Sequence, residues 1–98
     1  MRIVTGIFLL VFAGLLWASD DIDQDEARSL RDAGTILPLE DILAASRKLR
    51  PGRVMEVELE KKHGKYVYEI EIADDNGVVW EMKFNAQDAT LISQEKDD

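Results

Sequence analysis

Residues 53–84, RVMEVELEKKHGKYVYEIEIADDNGVVWEMKF, decide the fold. Apolar and polar side chains alternate there in three runs. Met55, Val57 and Leu59 alternate with Glu56, Glu58 and Glu60; Tyr66, Tyr68, Ile70 and Ile72 with Val67, Glu69 and Glu71; Val78, Trp80, Met82 and Phe84 with Val79, Glu81 and Lys83. Successive side chains of a strand point to opposite faces, so each run predicts a strand with one buried and one solvated face. A two-residue His63-Gly64 loop sets Lys62 against Lys65, Leu59 against Tyr68 and Val57 against Ile70, so that apolar meets apolar. A two-residue Asn76-Gly77 loop would set Glu71 against Met82. A three-residue Asp75-Asn76-Gly77 loop instead sets Ile72 against Trp80 and Ile70 against Met82, with Gly77 in the left-handed position of a bulged turn. Leu91 and Ile92 supply a short fourth strand, and 95–98 read as a tail.

Upstream the period changes. Asp23, followed by Glu26 three residues on, predicts the start of a short helix that runs to about Ala33 and stops at Gly34. A second helix spans Pro38 to Arg50: Pro38 suits its first position, Glu40 and Asp41 its positive end, Arg47, Lys48 and Arg50 its negative end, and Pro51-Gly52 ends it. Its stripe of Leu39, Ile42, Leu43 and Leu49 is the natural cover for Met55, Tyr68, Ile70, Trp80, Met82 and Phe84. The expected fold is α+β: N-terminal helices packed on one face of a three- to four-stranded antiparallel β-meander.

The first 19 residues carry one charge, Arg2, followed by the apolar run IVTGIFLLVFAGLLWA over residues 3–18, and an acidic segment begins at once with Asp20. This is the layout of a Sec-type signal peptide, with cleavage after Ala18 or Ser19. The run is shorter than the ~20 apolar residues that span a bilayer, so the membrane is touched only through this segment, if it stays uncleaved. Cleavage after Ser19 would leave 79 residues and, without Arg2, a charge of −9 in place of −8. The expected organisation is 1–19 signal peptide, 20–35 acidic segment with a short helix, 36–94 main domain and 95–98 tail, and the expected location is periplasmic or secreted.

The chain has no cysteine, which rules out disulfides, thiolate metal sites and a cysteine nucleophile. An acidic balance of 20 Asp plus Glu against 12 Lys plus Arg argues against nucleic acid as a partner. His63, the one histidine, falls in a hairpin loop, and Ser29, Ser46 and Ser93 lie in no nucleophile setting, so no catalytic residue and no cofactor are expected. Asp21, Asp23 and Asp25 imitate the opening of a calcium loop, but its sixth position is Glu26 and its twelfth Asp32; the segment reads as solubilising and helix-starting, with no metal assigned. On the outer sheet face, the register aligns Glu56, Glu71 and Glu81 across three strands and sets Glu58 against Glu69 beside Lys83. Such a face either stays solvated and discourages edge pairing or docks a basic partner or cation; Glu56, Glu58, Glu69, Glu71 and Glu81 are its candidate binding residues.

The order of helix then meander resembles the PepSY domain family. The matching features are the Pro51-Gly52-Arg53-Val54 lead-in, the Glu56-Val57-Glu58-Leu59-Glu60 and Tyr66-Val67-Tyr68-Glu69-Ile70 strands, Gly64, the Asn76-Gly77 turn, and Ile36-Leu37-Pro38-Leu39-Glu40 upstream. The family's last turn usually ends in glycine, where this chain has Ala89; a positive φ at Ala89 would cost about 1 kcal/mol relative to glycine. The resemblance implies a noncatalytic exported module that inhibits or regulates an envelope peptidase, with an envelope protein such as a peptidase or membrane sensor as partner. The alternative expectation is an accessory in envelope sensing that binds a cation or cationic peptide through its acidic face.

Overall fold

The computed structural model describes residues 20–97. The expected signal peptide lies outside the described residues. Among those described, no helix is long and apolar enough to cross a membrane.

In chain order the elements are β1 (Asp20–Asp21), α1 (Gln24–Asp32), α2 (Leu39–Leu49), β2 (Arg53–Lys62), β3 (Lys65–Ala73), β4 (Val79–Asn85) and β5 (Leu91–Lys96). The strands form one antiparallel sheet in the order β1-β2-β3-β4-β5, a meander in which every neighbour in space is a neighbour among the strands in sequence. The long strands and helices match the α+β arrangement that the alternation predicts. β1 is an addition: two residues, too short to carry any periodicity, pair with Glu60 and Lys61 at the edge of β2.

The register follows the pairing of like with like. Leu59 faces Tyr68, Val57 faces Ile70, Ile72 faces Trp80 and Ile70 faces Met82. His63 (φ 51°) and Gly64 (φ 79°) both turn through positive φ, the demand of a two-residue loop between right-twisted strands. At the second hairpin Asp74 N–H donates to the Val78 carbonyl and Gly77 takes φ 80°, so Asp75-Asn76-Gly77 is the loop. The Asp74 carboxylate organises this turn. It accepts from the Asn76 and Val78 amides, both at 2.9 Å, and from Trp80 Nε1 at 3.0 Å.

Asp23 caps α1, its carboxylate accepting from the Glu26 amide at 2.8 Å. Pro38 occupies the N-cap of α2, one position before the first helical turn where the sequence placed it. The core lies between the helices and the inner sheet face: Ile42, Ile70, Ile72, Met82 and Phe84 are fully enclosed, with Ile36, Tyr68 and Ala86 beside them. Ser46 is also fully enclosed, its hydroxyl donating to the Leu43 carbonyl at 2.8 Å, so that a small residue lets α2 approach the sheet. The link into α2 is tied down from the sheet: Leu37 N–H donates to the Ala86 carbonyl at 2.8 Å.

Three expectations are corrected. Met55 is 49% exposed, because a β-bulge between Val54 and Glu56 places Val54 opposite Ile72 and leaves Met55 unpaired. Leu49 is 50% exposed; at the last turn of α2 it is Arg50 that reaches the sheet, stacking 3.5 Å above the Trp80 ring while its Nε donates to Gln94 Oε1 at 2.6 Å. β5 runs on to Lys96, with Glu95 opposite Glu81 and Lys96 opposite Trp80, so these residues belong to the sheet and not to a tail.

Gly52 has a tighter reason than ending a helix. A Cβ there would collide with the Ala73 carbonyl oxygen and lie 2.8 Å from Ile72 Cγ2, so only glycine lets the α2–β2 connection lie against the end of β3. Ala89 takes φ 66°, the strained conformation anticipated where a glycine is usual. The turn is held regardless: Ala89 N–H donates to the Asn85 carbonyl, and the Thr90 amide and hydroxyl both donate to Asp88 Oδ1.

Candidate functional site

The outer sheet face collects what the inner face rejects. Alternation along β2, β3 and β4 turns Glu56, Glu58, Glu60, Glu69, Glu71, Glu81 and Lys83 to this side, and the antiparallel register fixes their neighbours. Glu56, Glu71 and Glu81 form one row; Glu58, Glu69 and Lys83 form the next. The five glutamates singled out from the sequence, Glu56, Glu58, Glu69, Glu71 and Glu81, line one shallow depression of about 120 Å³. Glu95 on β5 extends the first row opposite Glu81.

Opposing charge is sparse. Among the described residues the one ion pair joins Lys83 Nζ to Glu69 Oε2 at 3.7 Å. The carboxyls answer by holding their protons more tightly. Glu58 is pushed up to about 7, by burial first, then by a hydrogen bond shared with the Glu69 side chain, then by the charges of Asp21, Glu69 and Glu56. Glu71 is raised by desolvation and by the charges of Asp97 and Glu56, and Glu81 by burial and Glu69, with Lys83 opposing. Asp74, by contrast, is held below the ordinary aspartate range by its hydrogen bonds from Trp80 and Val78.

Glu60 was not singled out from the sequence, yet it is the most enclosed acidic residue of the face. It stands opposite Asp21 on β1 and Val67 on β3, is 8% exposed, and its Oε1 is buried without a hydrogen-bond partner. Carboxylate oxygens of Glu58, Glu60 and Glu69 lie within 4.8 Å of one another. The alternation that turns Glu60 outward is the one that turns Glu56 and Glu58 outward; what differs is the pairing of Asp21 on β1 across from Glu60, which no periodicity announces.

The other candidates are dispersed. His63 is exposed at the tip of the β2–β3 hairpin, and Ser29 is exposed on α1. Ser46 is spent within α2, and Ser93 faces Lys83 from β5. Asp21, Asp23 and Asp25 are divided among β1, the α1 cap and the first turn of α1. On the opposite side, a groove of about 350 Å³ runs between the helices and β2, lined by Ile22, Ala27, Arg31, Leu39, Glu40, Val57, Leu59 and Tyr68.

Two helices over one face of an antiparallel meander, with the other face open and acidic, define a small two-layer α+β domain. The chain belongs to the PepSY family: the family model described as "Peptidase propeptide and YPEB domain" matches residues 36–95, more than half of the chain. The match takes in α2, β2, β3, β4 and all but the last residue of β5, and leaves out β1 and α1. PepSY domains are in general noncatalytic modules of the propeptide and inhibitor kind and occur in exported proteins. No curated protein and no solved structure matches the chain.

Proposed function

We propose that the protein is an exported PepSY module, periplasmic or secreted, that binds an envelope protein and restrains or regulates a peptidase there without catalysing a reaction itself. The observation that carries this reading is the family match over the helix-covered sheet. The β5 edge supplies a contact: it pairs on one side only, and Leu91 and Ile92 are 40% and 54% exposed on it. An unpaired strand edge accepts an extended segment of another chain through main-chain hydrogen bonds. Co-purification of the protein from envelope fractions, followed by peptidase assays on what is retained, tests the reading. A retained peptidase slowed by the protein, and released by Ile92→Asp, supports it. No partner from any envelope fraction overturns it.

The acidic depression favours a second reading, an accessory in envelope sensing whose outer face holds a cation or a cationic peptide. Replacing Glu56, Glu71 and Glu81 together by Gln then weakens binding of a lysine-rich peptide and flattens its salt dependence. A protein with no affinity for cations before mutation removes this reading.

A further inference from the structure

We infer that Glu58, Glu60 and Glu69 form a binding site for a hard divalent cation of the calcium type. The inference deepens the cation-sensing reading, on which it rests, by naming the ligand class and its three ligands. It is independent of any peptidase partner.

Two observations meet at this place. The first is spacing: one carboxylate oxygen from each of the three residues lies within 4.8 Å of the other two. Calcium binds oxygen at about 2.3–2.6 Å, so ligands on opposite sides of the ion stand up to about 5 Å apart. The second is Glu60 itself, which is more than nine-tenths enclosed and carries an oxygen with neither solvent nor a hydrogen-bond donor. A carboxylate oxygen in that position is costly unless a donor or a cation compensates it. The same carboxyl group contributes the oxygen that lies within 4.8 Å of those of Glu58 and Glu69, so a cation held among the three would compensate its charge.

The surroundings favour a cation of this class. Every nearby ligand is a carboxylate oxygen, which suits calcium or magnesium and not a soft metal. Asp21, opposite Glu60 across β1 and β2, and Glu56, beside Glu58 on β2, add negative charge at the rim. Lys83 offsets part of it from the β4 side, where its ammonium pairs with Glu69. Glu58 and Glu69 are only half-buried, which leaves room for water to complete the coordination. Rigid strands hold the ligands at their Cα positions while the glutamate side chains adjust, a combination closer to calcium's flexible geometry than to the strict octahedron of magnesium.

The test is calorimetric titration of the chelator-treated protein with calcium chloride, beside thermal unfolding at constant ionic strength. Saturable binding near one ion per chain, with Kd on the order of 10⁻⁴–10⁻³ M as in extracellular calcium modules, and a rise in Tm are expected. Glu60→Gln and Glu58→Gln should each weaken binding about tenfold or more, a loss of roughly 1.4 kcal/mol, while Glu40→Gln, on α2 and on the opposite side of the sheet, changes it less than about threefold. Circular dichroism checks that each variant folds; should Glu60→Gln not fold, Glu58→Gln carries the comparison. Calcium binding that neither variant weakens overturns the site and leaves a cation-binding face in place. No response to calcium up to about 10 mM, or a response that sodium chloride reproduces at equal ionic strength, overturns the site. If the lysine-rich peptide is also not bound, the sensing reading falls with it.

Discussion

Glu58 makes the stability of this domain depend on pH in an unusual direction. Its carboxyl is pushed from 4.5 to about 7 in the folded protein, so between those values the native state holds a proton that the unfolded chain has released. Stability therefore falls as pH rises through this window and is regained as pH drops from about 7 toward 4.5. Because a half-buried carboxylate is screened by solvent, the shift contributes roughly 1 kcal/mol. In a domain of this size that is a Tm higher by about 5 °C at pH 5 than at pH 8. Glu71 and Glu81 act in the same direction. Asp74 and Asp88, held below the usual range by their hydrogen bonds, stabilise above the unfolded aspartate value and lose that contribution only in stronger acid, outside the window. The assay is thermal unfolding from pH 4.5 to 8.5 with chelator present, so that no cation competes for the proton. Glu58→Gln keeps a side chain able to donate to Glu69, and should raise Tm at pH 8 by a similar amount while removing much of the slope. A wild-type Tm that is flat or rises from pH 5 to 8, or a Glu58→Gln protein less stable at pH 8, would refute the reasoning.

Three further substitutions test separate contacts. Gly52→Ala must push its methyl into the Ala73 carbonyl and the Ile72 side chain, and should cost about 1–3 kcal/mol in denaturant unfolding. Asp74→Ala removes the acceptor of three hydrogen bonds, two from the turn and one from Trp80, and should cost about 2–3 kcal/mol with a red shift of Trp80 emission; an unchanged spectrum contradicts the bond to the indole. Ala89→Gly relieves a residue at φ 66°; against the larger chain entropy of glycine and the lost methyl packing, a net gain of about 0.5 kcal/mol should remain, and a lower Tm would count against strain at this turn.

The register was legible because it follows from a local rule. In 53–84 a side-chain period of two and the pairing of apolar with apolar admit one alignment across both hairpins, and the turn residues agree with it. The same rule places Glu56, Glu58, Glu69, Glu71 and Glu81 on a single face, where they line one depression. It failed at Met55, where alternation continues unbroken in sequence but a bulge between Val54 and Glu56 shifts the register by one residue. It failed again at Leu49, whose spacing is helical but whose place over the sheet is taken by Arg50 on Trp80.

Sequence by itself determined the helices, the meander, the loop lengths and the sorting of charge onto one face, because each depends on residues a few positions apart or on strands joined by short turns. Only the tertiary structure decided which of those charges lose their water. Glu60 follows the same alternation on β2 as Glu56 and Glu58, yet it is the one of the three that stands opposite β1, a two-residue strand that precedes both helices in the chain. Burial is set by whatever segment folds back over a side chain, and the pairing of two residues with a distant edge leaves no periodic trace in the chain.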